Sequence, residues 1–157
     1  TSVILNYHGE EISCYGAADG QGYAVATGGT PGYEYQWSNG IINDTVSYAS
    51  AGDYYVAVYD ANGCVVIDTL TFTQPDSIQT FTAVVSNFNG AQISCFGLAD
   101  GKGFVAGIGG TGVLTYTWNN GAFTDTIDNL EAGTYVATVT DLNGCFKQDS
   151  ISGCVTP

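Results

Sequence analysis

Short runs of alternating apolar and polar residues recur along the chain at roughly the 8–12-residue spacing of an all-β sandwich or barrel. Each is bounded by glycine or by an Asn-Gly or Asp-Gly pair. Alternation sends successive side chains to opposite faces of a strand. Strands are therefore expected at 1–7, 22–27, 33–38, 44–48, 53–60 and 64–73. Within 53–60, Tyr54, Val56 and Val58 face one way, and Tyr55, Ala57 and Tyr59 the other. No window carries a 3.6-residue apolar stripe of helix length. The turn chemistry agrees, since Asp19-Gly20, Gly28-Gly29, Asn39-Gly40 and Asn62-Gly63 supply the positive φ that tight turns require.

The pattern repeats. Laid over residues 82–157 without a gap, residues 1–76 are identical at 30 of 76 positions, an offset of 81. Cys14 falls on Cys95, Trp37 on Trp118, Tyr54 on Tyr135, Asp60 on Asp141 and Cys64 on Cys145. Internal periodicity of this kind means tandem structural units. The expected domains are 1–76 and 77–157. Identity concentrates in Gly, Asn, Asp, Cys, Trp and Tyr, the residues that set turns and anchor cores, while strand faces differ freely. The copies share a fold and no catalytic set.

Leu130-Glu131-Ala132-Gly133-Thr134-Tyr135 resembles a tyrosine corner, in which a strand-leading Tyr bonds back to the preceding loop. Copy 1 offers Tyr48-Ala49-Ser50-Ala51-Gly52-Asp53-Tyr54 there, with Tyr48 set against Leu130. Trp37 and Trp118 are expected to fill the cores. The fold class is all-β: two tandem immunoglobulin-like β-sandwich repeats forming an extended rod. Gln74-Pro75-Asp76-Ser77-Ile78-Gln79-Thr80 holds one proline and no glycine and reads as a short semi-rigid joint.

Composition narrows the function. The 157 residues hold 15 acidic side chains against two lysines, for a net charge of −13. Nucleic-acid binding needs cations to displace counterions from phosphate, and an anionic membrane surface repels such a chain. No apolar run is long enough to span a bilayer as a helix. No nucleic-acid partner and no membrane insertion are expected. The chain opens on Thr1 rather than Met and shows no signal peptide, as expected of a piece of a longer precursor.

Ile93-Ser94-Cys95-Phe96-Gly97, Asp100-Gly101, Gly109-Gly110-Thr111, Tyr116-Thr117-Trp118, Asn120-Gly121, Leu130 through Tyr135, and Asp141-Leu142-Asn143-Gly144-Cys145 together resemble the SprB repeat. Copy 1 departs by Tyr15 in place of Phe96 and Tyr48 in place of Leu130. The repeats are also similar to the polycystic-kidney-disease type of Ig-like domain. The resemblance implies an extracellular, repetitive bacterial cell-surface adhesin, exported by type IX secretion, that serves surface adhesion and gliding. Its partners would be neighbouring repeats of the same polypeptide, and a surface polysaccharide under the binding alternative. Five triplets, beginning at Asp44, Asp68, Asp76, Asp125 and Asp149, read Asp, Ser or Thr, then aliphatic. They resemble the O-glycosylation signal of the same bacterial group, although alternation in any β-sheet also produces them. Asn43-Asp44-Thr45 is an N-glycosylation sequon, which carries little weight in a bacterial protein.

Cysteines at matching places in a small β repeat point to an oxidising compartment. One scheme pairs Cys14 with Cys64 and Cys95 with Cys145, each bridge stabilising by about 4 kcal/mol through chain entropy. An objection is that these positions fall at opposite ends of a standard sandwich. The rival scheme joins Cys14 to Cys145 and Cys95 to Cys154, leaving Cys64 for a preceding repeat. Metal binding by cysteine is not expected, as no Cys-x-x-Cys occurs and His8 is the one histidine.

Asp60-Ala61-Asn62-Gly63 and its copy at Asp141 open like an EF-hand loop but lack the twelfth-position Glu and flanking helices. They read as hairpin turns. No cofactor is expected, apart from one calcium alternative: an inter-repeat Ca²⁺ held by Asp19, Asp76 and Asp141. For binding, Tyr55 and Tyr59 share an outward face with Glu34 and Gln36, an aromatic and amide surface suited to sugar rings. Copy 2 has Val136, Thr140, Thr115 and Thr117 there. His8 faces Asn89 in the other copy, so no imidazole-based catalytic set recurs, and the chain is read as no enzyme. Three readings stand: a stalk module, a carbohydrate-binding module acting through the tyrosine face, and an accessory domain of a secreted enzyme.

Overall fold

The computed structural model describes residues 2–3, 6–95 and 97–152. Among them all regular structure is β. The strands are Ser2–Val3 (β1), Gly20–Tyr23 (β2), Glu34–Trp37 (β3), Thr45–Ala49 (β4), Gly52–Tyr59 (β5) and Val65–Phe72 (β6), followed by Gln79–Val84 (β7), Gly101–Ile108 (β8), Thr115–Trp118 (β9), Thr126–Leu130 (β10), Thr134–Thr140 (β11) and Phe146–Ser152 (β12).

The chain forms two compact units, Thr1–Pro75 and Asp76–Pro157. Each is built from two three-stranded antiparallel sheets, β1-β2-β4 and β3-β5-β6 in unit 1, β7-β8-β10 and β9-β11-β12 in unit 2. This is the strand order of an Ig-like sandwich, the first, second and fourth strands facing the third, fifth and sixth. The segment read as a joint enters unit 2 from Asp76 onward. The Asp76 carbonyl accepts a hydrogen bond from Gly110 N–H at 2.9 Å, and Ile78 belongs to the unit 2 core.

The cores correspond residue by residue. Ile12, Ala24, Trp37, Val46, Ala49, Val56, Val58 and Leu70 are buried in unit 1. The residues 81 further on, Ile93, Val105, Trp118, Ile127, Leu130, Ala137, Val139 and Ile151, are buried in unit 2. Side-chain volumes are traded between positions. Unit 1 has Ala49 where unit 2 has Leu130, and it also buries Phe72, whose ring meets Tyr54 edge-on at 5.3 Å. Both tryptophans fill cores as expected, and each indole N–H donates 2.9 Å to a loop carbonyl six residues on, of Asn43 and of Thr124.

The tyrosine corner is present in both units, with variation. Tyr54 Oη accepts from Ser50 N–H at 3.0 Å, whereas the Tyr135 hydroxyl donates to the Glu131 carbonyl at 3.2 Å. The residue opposite Leu130 in the other copy is Ala49, not Tyr48: Gly20 pairs with Ala49 as Gly101 pairs with Leu130. Tyr48 and Asn129 occupy a β-bulge, two residues facing one, and both take φ of 57°. Sequence alternation passes over the extra bulge residue, which is why Tyr48 lands one place out.

The strand expected over 22–27 lies at Gly20–Tyr23 in unit 1, while its counterpart in unit 2 runs through Ile108. Only in unit 2 does a described strand, β7, pair along that length. Of the strand expected over 1–7, Ser2–Val3 is described and Tyr7 makes an isolated bridge with Glu10. Ile4 and Leu5 lie outside the described residues.

Pairing within each copy is overturned. Cys14 and Cys145 are each disulfide-bonded, whereas Cys64 and Cys95 are free and exposed. The geometry of unit 1 supplies the reason. Ile12 N–H donates to Thr73 O at 3.1 Å and Gly16 N–H to Gln74 Oε1 at 2.8 Å, which fixes Cys14 beyond the end of β6. Cys64 immediately precedes the start of that strand. An eight-residue strand at about 3.3 Å per residue separates them by roughly 25 Å. A disulfide needs Cα atoms within about 7 Å. Cys95 is also free where the rival scheme pairs it with Cys154, which lies outside the described residues.

Candidate functional site

The Asp-x-Asn-Gly turns are self-contained braces. Asp141 is 6% exposed. One of its carboxylate oxygens accepts Thr111 N–H at 2.8 Å and the other accepts Asn143 and Cys145 N–H at 2.9 Å each. Asp60 repeats the arrangement with Thr30, Asn62 and Cys64. The backbone N–H of Thr30, then that of Cys64, holds the Asp60 carboxyl below its ordinary value. These carboxylates face amide donors of the same unit, which is how a hairpin turn is tied to the loop beside it.

The other two members of the calcium set have separate duties. Asp19 Oδ1 accepts Ser13 N–H at 3.1 Å in unit 1. Asp76 serves unit 2 through its backbone carbonyl on Gly110. Among the described residues no three His, Cys, Asp or Glu side chains gather as a metal-ligand group.

Two further carboxyls are held low by hydroxyls. The Thr73 hydroxyl, with Thr73 N–H, lowers Glu11, and the Ser94 hydroxyl lowers Asp100. His8 occupies a left-handed position, φ 56°, in the tight turn between Tyr7 and Glu10, with Gly9 N–H donating to Asn6 Oδ1 at 2.8 Å. Asn89 does the same in unit 2 at φ 53°, with Gly90 N–H on Asn87 Oδ1. Its place is therefore that of a turn residue.

The outward face of unit 1 gathers three of the four predicted binding residues. Glu34 stands opposite Tyr59, and Gln36 opposite Ala57. Glu34, Gln36 and Tyr59 line a concavity of about 720 Å³ together with Tyr33, Tyr35, Ile42, Asn43 and Asp44. Tyr55 is exposed on the same face of β5, but it pairs with Thr69 on β6 and lies outside the concavity. The contribution of Ile42, Asn43 and Asp44 was not expected from alternation. Its signal is the bond from Trp37 to the Asn43 carbonyl, which folds that loop beside β3. The site combines three tyrosine rings, two carboxylates and two amides, the donor and acceptor set that recognises hydroxyl-rich ligands.

In the five Asp-Ser/Thr-aliphatic triplets the aliphatic residue is buried every time: Val46, Leu70, Ile78, Ile127 and Ile151. Strand alternation accounts for that spacing, and it leaves Thr69 and Ser150 exposed.

Residues 10–40, within unit 1, match the SprB repeat family. No curated protein matches the chain. Among solved structures, one similar fold is the C-terminal 282-residue fragment of intimin, in complex with the intimin-binding domain of the translocated intimin receptor, at 14% identity and a TM-score of 0.47. The match covers 97% of this chain and 64% of that fragment, so this chain spans under two thirds of its length. Another is the amphioxus IgVJ-C2 molecule, at 13% identity and a TM-score of 0.32, covering 85% of this chain and 95% of that one.

Proposed function

We propose that this chain is a non-catalytic structural module from the repetitive stalk of a large exported bacterial surface adhesin, serving adhesion and gliding, with its two sandwiches acting as spacers. What carries the reading is the contrast between what the units share and what they do not. All eight core positions and the turn-bracing aspartates coincide at the 81-residue offset. The outward residues at the same offset do not: Tyr59 becomes Thr140, Glu34 becomes Thr115 and Gln36 becomes Thr117. A spacer needs only its fold to be repeated, whereas a repeated binding or catalytic module would repeat its surface chemistry. The SprB match over residues 10–40 supports the same family of surface proteins. Antibodies raised against the purified chain should label intact, unpermeabilised cells of the source bacterium. Labelling only after lysis would overturn the surface reading.

A second reading is favoured by the concavity beside Tyr59. In it unit 1 binds polysaccharide, with the Tyr59 ring stacking on a sugar and Glu34 and Gln36 engaging its hydroxyls. Retention of the chain on immobilised polysaccharide, lost in a Tyr59→Ser variant that melts normally, would establish it. Loss in Tyr55→Ser alone would argue against the concavity as the site.

A further inference from the structure

The concavity beside Tyr59 lies along a free sheet edge. β3 is the outer strand of the sheet β3-β5-β6, and no described strand pairs with its far side. Ser38 N–H donates to Tyr55 O at 2.8 Å, toward β5, whereas Trp37 N–H donates to Ile41 O at 2.8 Å, away from it. Backbone groups alternate sides along an antiparallel strand, so Tyr35 turns its N–H and C=O to the open side with Trp37. The loop that carries Ile42, Asn43 and Asp44 forms the other wall.

That loop is braced from within. The Asn43 carbonyl accepts from the Trp37 indole and Asn43 Oδ1 from Thr45 N–H, each at 2.9 Å, and Asp44 Oδ1 accepts the Thr45 hydroxyl at 3.0 Å. The Asn43 NH₂ and Asp44 Oδ2 are left for a guest. Glu34 and Gln36 are exposed, and among the described residues their side chains bond to nothing.

The charge of this surface is one-sided. Glu34 and Asp44 both line the concavity, and no cation does. Lys102 and Lys147 belong to unit 2, so unit 1 has no Lys or Arg to offset them. A neutral guest strips water from two carboxylates without return, and an acidic guest adds repulsion. A guest carrying an ammonium offsets that loss with charge-assisted hydrogen bonds. Unit 2 keeps a carboxylate at Asp125 but has Thr115, Thr117 and Thr140 in place of Glu34, Gln36 and Tyr59, so unit 1 alone holds the set.

We propose that this concavity selects an amine-bearing sugar, a hexosamine unit of a cationic polysaccharide. Its ammonium pairs with Glu34 and Asp44. Its hydroxyls meet Gln36, the Asn43 NH₂ and the Tyr35 backbone, and its C–H face lies on the Tyr59 ring. The proposal rests on the polysaccharide reading of unit 1 and adds to it the charge of the sugar.

The test titrates the 157-residue chain with oligomers of glucosamine, of N-acetylglucosamine and of lysine. It is run in EDTA at about pH 5.5, where ordinary carboxylates are ionised and amines keep their protons. The glucosamine oligomer should bind about tenfold more tightly than the N-acetylated one, the ratio that two solvent-exposed ion pairs supply, and salt should narrow that ratio. Glu34→Gln and Asp44→Asn should each weaken it about threefold and leave the N-acetylated oligomer unaffected. The double variant Asp53→Asn/Glu131→Gln removes the same charge away from the concavity and should change neither affinity. Equal affinity for both sugars, lost in Tyr59→Ser, would overturn the amine assignment and leave the polysaccharide reading standing. Binding of neither sugar would overturn both. A preference lowered as far by Asp53→Asn/Glu131→Gln would mean net charge in place of a site, and tighter binding of the lysine oligomer would make the guest a basic peptide. Either result overturns the proposal.

Discussion

Unit 1 and unit 2 bury the same eight core positions and tie the same turns with the same aspartates, but they fill the rest of the core differently. Each unit adds a ninth core residue of its own, Phe72 in unit 1 and Ile78 in unit 2. Unit 1 has Ala49 where unit 2 has Leu130. The lesson is that turns and core spacing define the repeat, while side-chain volume is redistributed among the core positions.

The most direct way to break the comparison is Ile78→Ala. It removes a buried core side chain, and it should destabilise unit 2 by about 2–4 kcal/mol, as large-to-small core changes do. Amide exchange resolved by unit should show unit 1 protection unchanged. Equal loss in both units, or no loss in unit 2, would mean that Ile78 does not act through the unit 2 core.

Asp141→Asn should cost about 2 kcal/mol, the scale of buried hydrogen bonds to a charged acceptor. The amide loses acceptor capacity and turns an NH₂ toward a backbone N–H. Asp60→Asn should cost less, because water replaces the lost bonds at its more open turn. The same two variants melted in millimolar calcium and in EDTA should show identical shifts. A calcium-dependent difference confined to Asp141→Asn would restore a cation ligand role for that carboxylate.

Acid should act on the units unequally. Glu11 and Asp60 in unit 1 and Asp100 in unit 2 are held below their ordinary values by hydrogen bonds. A depressed folded-state value adds stability that is fully present above the unfolded value and is lost as pH falls through the folded one. Stability should therefore decline below about pH 4.5, the ordinary value of Glu, with the unit 1 transition falling further. Glu11→Gln should flatten that decline in unit 1, and thermal melts between pH 2 and 6 would show it. A steeper fall in unit 2 would contradict the assignment.

Much of this was legible in the sequence. The 81-residue offset, the positive-φ pairs and the alternation along 53–60 led directly to two sandwiches, to Trp37 and Trp118 as core and to the tyrosine corner. Those signals are local, so one copy suffices to read them. What stayed hidden depends on partners distant in the chain. Cys14 and Cys64 look like a natural pair by number, but β6 holds them a strand length apart. Residues 24–27 look like strand, but the strand described there ends at Tyr23. The concavity beside Tyr59 needed the Trp37–Asn43 bond to bring in a loop that carries no alternation.

The finest point of difference is the bulge. Tyr48 and Asn129 share φ of 57°, yet only asparagine tolerates the left-handed region at little cost. Tyr48 is 85% exposed, so its ring recovers little by burial. Exchanging the two residues should therefore act in opposite directions. Tyr48→Asn should stabilise unit 1 by about 1 kcal/mol, and Asn129→Tyr should destabilise unit 2 by a similar amount. For units of this size that is a shift of roughly 4–8 °C in Tm, upward in one and downward in the other. If Tyr48→Asn were neutral while Asn129→Tyr cost the expected amount, contacts of the Tyr48 ring would be offsetting its backbone strain. Unit 1 would then be using an exposed tyrosine where unit 2 uses a turn residue, and the strained position would join the concavity as a place where the surface of unit 1 does something its copy does not.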